Sequence, residues 1–187
     1  LLPDGDGAEI GADDNLLPLL ETTVESTGRG ATLRIGWKRG ESVSTRSRVT
    51  VDVVVPRLVA LSGAGSGDMV AESFETPALQ VSLAGSGDVR LPGLRAGELG
   101  IRISGSGDVG GSGQATKLTI AIAGSGDVKL AEMPADEVSV SIAGSGDAAV
   151  FAHKTLDVRI AGSGDVVYRG DAAVRASVAG SGSVRKQ

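Results

Sequence analysis

One carboxylate recurs along this chain at an almost constant spacing, and it is the feature best suited to chemistry. Each copy ends the four-residue unit Gly-Ser-Gly-Asp. The aspartates are Asp68, Asp88, Asp108, Asp127, Asp147 and Asp165. A ladder of carboxylates could bind Ca²⁺, which takes carboxylate and carbonyl oxygens. We favour the alternative, in which each aspartate accepts hydrogen bonds from turn N–H groups, as Asx side chains commonly do.

A serine lies between the two glycines of every unit, and a seventh unit ends in Ser183 instead of aspartate. A serine nucleophile needs a neighbouring base, and His153 is the only histidine in the chain. One histidine cannot serve seven turns, so we interpret the serines as small turn residues. A phosphate-binding loop is also excluded, because it requires Lys-Ser/Thr followed by a helix. We therefore predict no catalytic residues, no cofactor-binding residues and no cofactor.

The spacing of the units predicts the fold. Successive first glycines are 20, 20, 19, 20, 18 and 18 residues apart, and a fixed period of this size is typical of a solenoid. Such a period leaves no room for a helix in each repeat. We predict an all-β, single-stranded parallel β-helix of about seven short coils, stacked about 4.8 Å apart.

Alternating apolar and polar residues precede each unit, as in a half-buried strand. We predict that each coil has two short strands joined by Gly-Ser-Gly-Asp, with variable loops on a vaguer third side. The predicted inner residues are Leu79, Val81, Leu83, Leu99, Ile101, Ile103, Leu118, Ile120, Ile122, Val138, Val140, Ile142, Leu156, Val158, Ile160, Val174, Ala176 and Val178. The predicted loops are 71–77, 92–97, 110–117, 131–137, 152–155 and 170–173.

The paired glycines are interpreted as structural turn residues. Glycine permits positive φ and close backbone approach, both of which a stacked corner requires. The predicted corner glycines are Gly65, Gly67, Gly85, Gly87, Gly105, Gly107, Gly124, Gly126, Gly144, Gly146, Gly162 and Gly164.

Residues 1–56 lack the repeat, and we interpret them as an irregular N-terminal β cap in the same domain as the repeat array, 57–187. A solenoid needs such a cap to cover its first coil. Strands are expected near 8–10, 23–24, 31–38 and 48–55, with turns at 26–30 and 39–41 and a short turn or helix after Asn15. Asp4 and Asp6 resemble a fragment of a calcium loop, but no glutamate completes it. Trp37 is expected to lie in the core of the cap.

Composition narrows the function classes. The 187 residues carry a net charge of −5 with no basic stripe, so nucleic acid is not an expected partner. Cysteine is absent, which excludes disulfides and thiolate chemistry. No apolar run is long enough for a transmembrane helix. The chain begins without a recognisable export signal, which we expect to have been removed.

Three stretches carry a resemblance to a known family: ADDNLLPLLETTVE (12–25), LRIGWKRG (33–40) and VTVDVVVPRLVALSGAGSGD (49–68), followed by the Gly-Ser-Gly-Asp coils. In this order they resemble the putative auto-transporter adhesin, head GIN domain family. The resemblance implies a right-handed parallel β-helix in a secreted, periplasmic or surface-attached bacterial protein. It implies no catalytic residues.

We therefore expect a non-catalytic, extracytoplasmic structural or adhesion module whose partner is a surface glycan or protein. The alternatives are a carbohydrate- or calcium-binding module and, less favoured, a polysaccharide-degrading enzyme of pectinase-like architecture. Binding is expected at the loops or at the outward-facing Arg102, Arg159 and Arg175. The short C-terminal end, 184–187, is a slight lid, so self-association through that end is a further hypothesis.

Overall fold

The computed structural model describes residues 7–27, 30–38, 40 and 49–187, which contain fourteen strands and one short 3₁₀ helix, Leu17–Leu19. The first six strands are β1 (Gly7–Gly11), β2 (Leu20–Thr27), β3 (Gly30–Trp37), β4 (Thr50–Val54), β5 (Ala60–Gly65) and β6 (Met69–Val70). The long strands are β7 (Glu75–Gly85), β8 (Val89–Gly105), β9 (Val109–Gly124), β10 (Val128–Gly144) and β11 (Ala148–Gly162). The last three are β12 (Val166–Arg169), β13 (Ala173–Gly180) and β14 (Val184–Lys186).

The chain divides into two compact units, residues 1–57 and 58–187. In the second unit, strands β5 to β14 form one parallel sheet in which each strand pairs with its equivalent one repeat later. The corner glycines stay in register, as in the pairs Gly105 with Gly124 and Gly124 with Gly144. This confirms the predicted β-solenoid of about seven turns.

The core of this unit is the predicted column of inner residues. Aliphatic side chains from β7 to β11 are buried, and the side chains of Leu94 and Met133 complete the core from the third side of the coil. Each such side chain contributes about 1.5–3 kcal/mol when it is fully buried. Because every coil is narrow, this burial comes from contact with the coils above and below it.

The third side is more regular than the sequence predicts. The loops expected at 92–97, 110–117, 131–137 and 152–155 lie inside the continuous strands β8 to β11. The backbone pairing between coils continues through the bends with local register shifts, as between Leu91 and Leu94. Backbone groups at the bends thus pair with the next coil, which satisfies them without a separate loop. The segments 71–74 and 170–172 do remain outside strands.

The last coil corrects a second prediction. Val174, Ala176 and Val178 alternate like the inner residues of earlier coils, yet all eight residues of β13 are exposed. This strand pairs with β11 on one edge, and no described strand pairs with its other edge. The prediction of burial was wrong here because inner residues are covered by the coils on both sides.

The first unit contains two small antiparallel sheets, β1 with β4 and β2 with β3. These strands, and the 3₁₀ helix after Asn15, confirm most of the elements expected before residue 57. Asp4 and Asp6, residues 28–29 of the turn expected at 26–30, most of the turn at 39–41, and Arg48 lie outside the described residues. That residues 1–56 cap the array within one domain stays a prediction. In the part of the chain that the structure describes, no helix has the length and hydropathy needed to cross a membrane.

Candidate functional site

The corners of the solenoid are built on glycine for two separate reasons. The first glycine of each corner has positive φ, for example +139° at Gly105 and +136° at Gly124, a region that side chains disfavour. The second glycine is required because the coils stack closely. A Cβ on Gly126 would overlap the carbonyl oxygen of Gly107 in the preceding coil. Gly67, in the first coil, has no atom within 4 Å of that position. Stacking against a preceding coil therefore creates the requirement for the second glycine.

The aspartates form a hydrogen-bonded ladder that runs from coil to coil. In each step, the Oδ1 atom of one aspartate accepts the backbone N–H of the next. The donor–acceptor pairs are Asp88 to Asp68 (3.0 Å), Asp108 to Asp88 (3.0 Å), Asp127 to Asp108 (2.9 Å), Asp147 to Asp127 (3.0 Å) and Asp165 to Asp147 (2.7 Å). The carboxylates thus do accept turn N–H groups. The donor, however, lies in the following coil, so each bond links two repeats.

The ladder ends where the repeat changes. Ser183 replaces the seventh aspartate and donates both its N–H (2.8 Å) and its hydroxyl (2.9 Å) to Oδ1 of Asp165. The corner serines also act between coils through their backbone, since the N–H of Ser125 donates to the carbonyl of Gly105 at 2.9 Å. The polar residues of the repeat are thus largely engaged in holding the coils together.

Basic side chains balance part of the negative column. Lys129 bonds Asp108 and lies 3.7 Å from Asp127, and Arg185 is 2.8 Å from Asp165. Burial raises the pKa of the Asp108 carboxyl, but hydrogen bonds from Lys129 and the Asp127 N–H outweigh it and lower that pKa overall. The pKa of Asp165 is also lowered, chiefly by the two hydrogen bonds from Ser183. Like charges in the column are therefore compensated locally.

The metal candidates do not form a compact ligand cluster. Among the described residues, no group of three or more His, Cys, Asp or Glu side chains is arranged to hold a metal ion. Successive aspartates are one coil apart, about 4.8 Å, and Ca²⁺ takes six to eight oxygen ligands. The calcium interpretation of Asp68, Asp88, Asp108, Asp127, Asp147 and Asp165 stays an untested alternative.

A shallow depression of about 210 Å³ lies on the outer face of the sheet formed by β7, β8 and β9. It lies where Gly100 has no side chain between Gln80 and Thr119 of the neighbouring coils, and the Gln80 amide lies over the buried Gly100. The polar groups that line it are the Arg102 guanidinium, the Lys117 ammonium, the Glu98 carboxylate, the Gln80 amide and the Thr119 hydroxyl. The only sign of this depression in the sequence is Gly100, a glycine at one of the outward-facing positions of the alternating strand pattern.

The structure does not bring the three outward arginines together. Arg102 lines the depression, whereas Arg159 lies three coils further along the same column, about 14 Å away. Arg175 lies in the other outward column, paired with Asp157. The predicted arginine face is therefore a set of separated charges, of which Arg102 borders the depression.

Solved structures of bacterial proteins share this architecture. A putative adhesin from Bacteroides fragilis superimposes with a TM-score of 0.88 at 24% identity, covering 96% of this chain and 82% of its own. A putative adhesin from Parabacteroides distasonis gives 0.74 at 24% identity, with coverage of 100% and 86%. Likenesses at this identity establish the fold.

A structure from Parabacteroides distasonis described as a putative lipid binding protein matches with a TM-score of 0.80 at 26% identity. It covers 100% of this chain and 86% of its own. No curated protein matches the chain. The family model of the putative auto-transporter adhesin, head GIN domain matches residues 4–172. Together with the stacked Gly-Ser-Gly-Asp coils, this match places the chain in the putative auto-transporter adhesin, head GIN domain family.

Proposed function

We propose that this chain is a non-catalytic, extracytoplasmic adhesion module, a rigid solenoid that presents an outward sheet face to a surface partner. The observation that carries the proposal is that the repeated aspartates are bonded to the backbone of the next coil. The carboxylates of Asp88 and Asp127 accept N–H groups of the next coil, which leaves them a structural role. The residues that vary between coils face outward, where a partner can reach them. Membership of an adhesin-like family supports the same interpretation.

The depression at Gly100 is the proposed contact point for a polar partner, of which a surface glycan is the best fit. Its rim includes Arg102, Lys117 and the Gln80 amide, which can donate hydrogen bonds to sugar hydroxyl or carboxylate oxygens. Its open shape suits one sugar ring of a polymer lying along the sheet. Because solenoid faces are repetitive, several weak contacts to one polymer would add through avidity.

The proposal is tested with immobilised acidic and neutral polysaccharides and two glycine variants. Gly100→Gln fills the depression, and the atoms nearest to its Cβ belong to the movable end of the Gln80 side chain. Gly110→Gln is the matched control on another side of the coil, where the nearest atom is 3.9 Å away. We expect retention on at least one polysaccharide that Gly100→Gln loses and Gly110→Gln keeps. Equal retention of both variants contradicts the assigned surface.

The same polysaccharides distinguish the module from the enzyme alternative. Incubation with polygalacturonate, followed by measurement of new reducing ends, is expected to give no product above a buffer blank. Released oligosaccharides would instead support a pectinase-like enzyme. The extracytoplasmic location is tested separately, with an antibody against the chain applied to the cytoplasmic, periplasmic and surface fractions of the bacterial cells. Detection in the cytoplasmic fraction alone would contradict an extracytoplasmic location.

A second candidate function, contact with a lipid surface, is favoured by the hairpin β2–β3. Its register places Val24, Leu33, Ile35 and Trp37 on one face, and Trp37 is 39% exposed, which corrects the expectation of a buried core tryptophan. Tryptophan is favoured at membrane–water interfaces. Trp37 is the only tryptophan of the chain, so its fluorescence reports the contact directly. A blue shift on adding phosphatidylcholine or phosphatidylglycerol vesicles supports this function, and an unchanged spectrum contradicts it.

A further inference from the structure

The outward face of the sheet carries its charges unevenly. Two columns of outward side chains lie next to the Gly-Ser-Gly-Asp corner, and we call them the corner strip. One column runs from Ser62 to Ser177 and includes Arg102 and Arg159. The other runs from Ala64 to Ala179 and holds only alanines and one serine. Among the residues aligned in these two columns none is acidic, so the strip is positive in a chain whose net charge is −5.

The carboxylates of the same face lie in its other two outward columns, where basic residues stand opposite them. The pairs in register are Glu98 with Lys117, Glu137 with Lys117, and Asp157 with Arg175. Opposite charges on adjacent strands attract and compensate each other. Arg102 and Arg159 have only serine and alanine beside them in their own column, and no ion pair joins either of them to a carboxylate in the described part of the chain.

Arg102 borders two depressions. One is the depression at Gly100, and the other is a shallow one of about 410 Å³ over the first three coils. The outward residues that line the second depression, besides Arg102, are Ser62, Ala64, Ser82, Ala84 and Ser104. A guanidinium has five N–H donors, and Nη1 of Arg102 is 3.5 Å from Oε1 of Gln80, at the far limit of a hydrogen bond. The guanidinium is therefore open to a ligand from either depression.

We propose that the partner is an acidic polysaccharide and that Arg102 binds the carboxylate of one uronic acid residue. The inference rests on the proposed function, because it names the class of glycan that the depression at Gly100 takes. A planar guanidinium binds a carboxylate through two parallel hydrogen bonds, and such charge-assisted bonds are about twice as strong as neutral ones. The two depressions take the rings of that residue and of its neighbour, whose hydroxyl groups meet the serine hydroxyls and the Gln80 amide.

Arg159 provides a second contact for the same polymer. It lies three coils from Arg102 in one column, about 14 Å away. The residues between them are Ala121 and Ser141, whose short side chains leave room for a polymer along the strip. An acidic polysaccharide repeats its carboxylate along its length, so one molecule can reach both arginines. Two linked contacts bind more tightly than either contact alone.

An anionic membrane is the competing occupant of a positive strip, and the composition of the strip argues against it. Proteins that lie on a membrane combine basic residues with large apolar side chains that enter the lipid. The exposed large apolar side chains of the described residues include none from the corner strip. Serine hydroxyls around a concave surface instead suit a ligand with many hydroxyl groups.

Matched polymers test the class of glycan. Polygalacturonate and alginate are each compared with a carboxyl-reduced form, which keeps the backbone and lacks the charge. We expect the chain to bind each acidic polymer at least tenfold more tightly than its reduced form, and this preference to shrink in high salt. Equal affinity for both forms, or retention on neutral polysaccharides alone, overturns the inference and leaves the proposed glycan function standing. Binding to no polysaccharide overturns both.

Arg102→Gln tests the residue, with Arg90→Gln as its matched control. Arg90 is exposed near the start of the same strand, β8, outside the corner strip, and its substitution changes the net charge equally. We expect Arg102→Gln to raise the Kd for the acidic polymers about tenfold, because hydrogen bonds to a charged group are lost, and to change the Kd for the reduced forms much less. Arg102→Lys keeps the charge without the planar fork and should give an intermediate Kd. Equal effects of Arg102→Gln and Arg90→Gln overturn the assigned site in favour of attraction by net charge.

Arg159→Gln tests the second contact. It should weaken binding of the polymers and leave binding of free galacturonate unchanged, because the depressions that hold a sugar ring border Arg102. Full affinity of Arg159→Gln for the polymers overturns the path along the strip. Binding to phosphatidylglycerol vesicles that requires Arg102, without binding to either acidic polymer, overturns the proposal in favour of a membrane. Far-ultraviolet circular dichroism of every variant verifies that it retains the fold.

Discussion

Val138 in β10 and Val174 in β13 occupy the same place in their coils, and they differ greatly in burial. Register pairing joins them through Leu156 in one inner column. Val138 is 2% exposed and Val174 is 38% exposed. Residue type and alternation are the same, so the difference comes from the coils that cover the middle position on both sides. Burial in this solenoid is a property of neighbouring coils, as expected for a quasi-one-dimensional fold.

The comparison extends to the corners. The second glycine of a middle corner is packed against the preceding coil, while the equivalent glycine of the first corner is not. The same residue in the same motif is thus required in one place and tolerant in another. If the number of neighbouring coils sets the free-energy cost of a substitution, the same change should cost more in a middle coil than in the first or the last coil.

The largest expected effect is at Gly126. Gly126→Ala places a Cβ against the carbonyl oxygen of Gly107, a backbone atom that cannot move aside without displacing the coil. We expect a loss of unfolding free energy near the upper end of the usual overpacking range, about 3 kcal/mol. Urea unfolding followed by circular dichroism gives the value.

Gly67→Ala is the matched control, since it makes the same change in the first corner with open space around the new Cβ. Its unfolding free energy should stay within about 0.5 kcal/mol of the unsubstituted chain. Similar losses for both variants would mean that the motif acts through its own turn and not through stacking.

The next effect is expected in the apolar column. Val138→Ala removes two buried methyl groups and leaves a small cavity, which should cost about 2 kcal/mol of unfolding free energy. Val174→Ala makes the same change at the exposed end of the column and should cost about 0.5 kcal/mol or less. Equal costs would show that the last coil is covered in solution.

A smaller effect is expected in the ladder. Asp127→Ala removes the acceptor of the Asp147 N–H, and partial access of water limits the loss to about 1 kcal/mol. Asp127→Asn keeps an acceptor oxygen and should lose less. Ser183→Ala removes the hydroxyl donor to Asp165 but keeps the Ser183 N–H bond to the same carboxylate, and it serves as the comparison at the seventh corner. Thermal unfolding of the three variants ranks them, and an Asn variant as unstable as the Ala variant would contradict the hydrogen-bond role.

The repeat makes much of this architecture predictable from sequence. The period, the alternation and the paired glycines each indicate stacked coils, and the first glycines do have the positive φ expected of them. The inner residues of β7 to β11 are predictable because alternation acts the same way in every covered coil. These features depend on residues within one repeat or on the fact that neighbouring repeats have the same pattern.

Features that depend on the assembled register were not predictable in the same way. The donor to each aspartate lies about twenty residues away, so the sequence suggested a local cap where the structure forms a bond between coils. The continuity of β8 to β11 through the bends follows from pairing with both neighbouring coils. The depression at Gly100 depends on which side chains flank it one coil away, and alternation alone does not supply that information.

The smallest expected effect is that of calcium on stability. The Oδ1 atoms of the ladder already accept N–H groups, and Lys129 and Arg185 neutralise Asp108 and Asp165. A calcium site would need further oxygens that adjacent coils place about 4.8 Å apart. We therefore expect the same unfolding midpoint in excess calcium and in excess chelator.

A folded-state ligand at a hundred times its Kd adds about 2.7 kcal/mol to the free energy of unfolding, an effect that a thermal scan detects easily. Asp88 and Asp147 are the informative positions, because no salt bridge joins either of them to a basic side chain among the described residues. A calcium-dependent rise that disappears in Asp88→Asn or Asp147→Asn would make the ladder a metal site. A rise that survives both substitutions would place the ion elsewhere and leave the coil-to-coil hydrogen bonds as the role of these carboxylates.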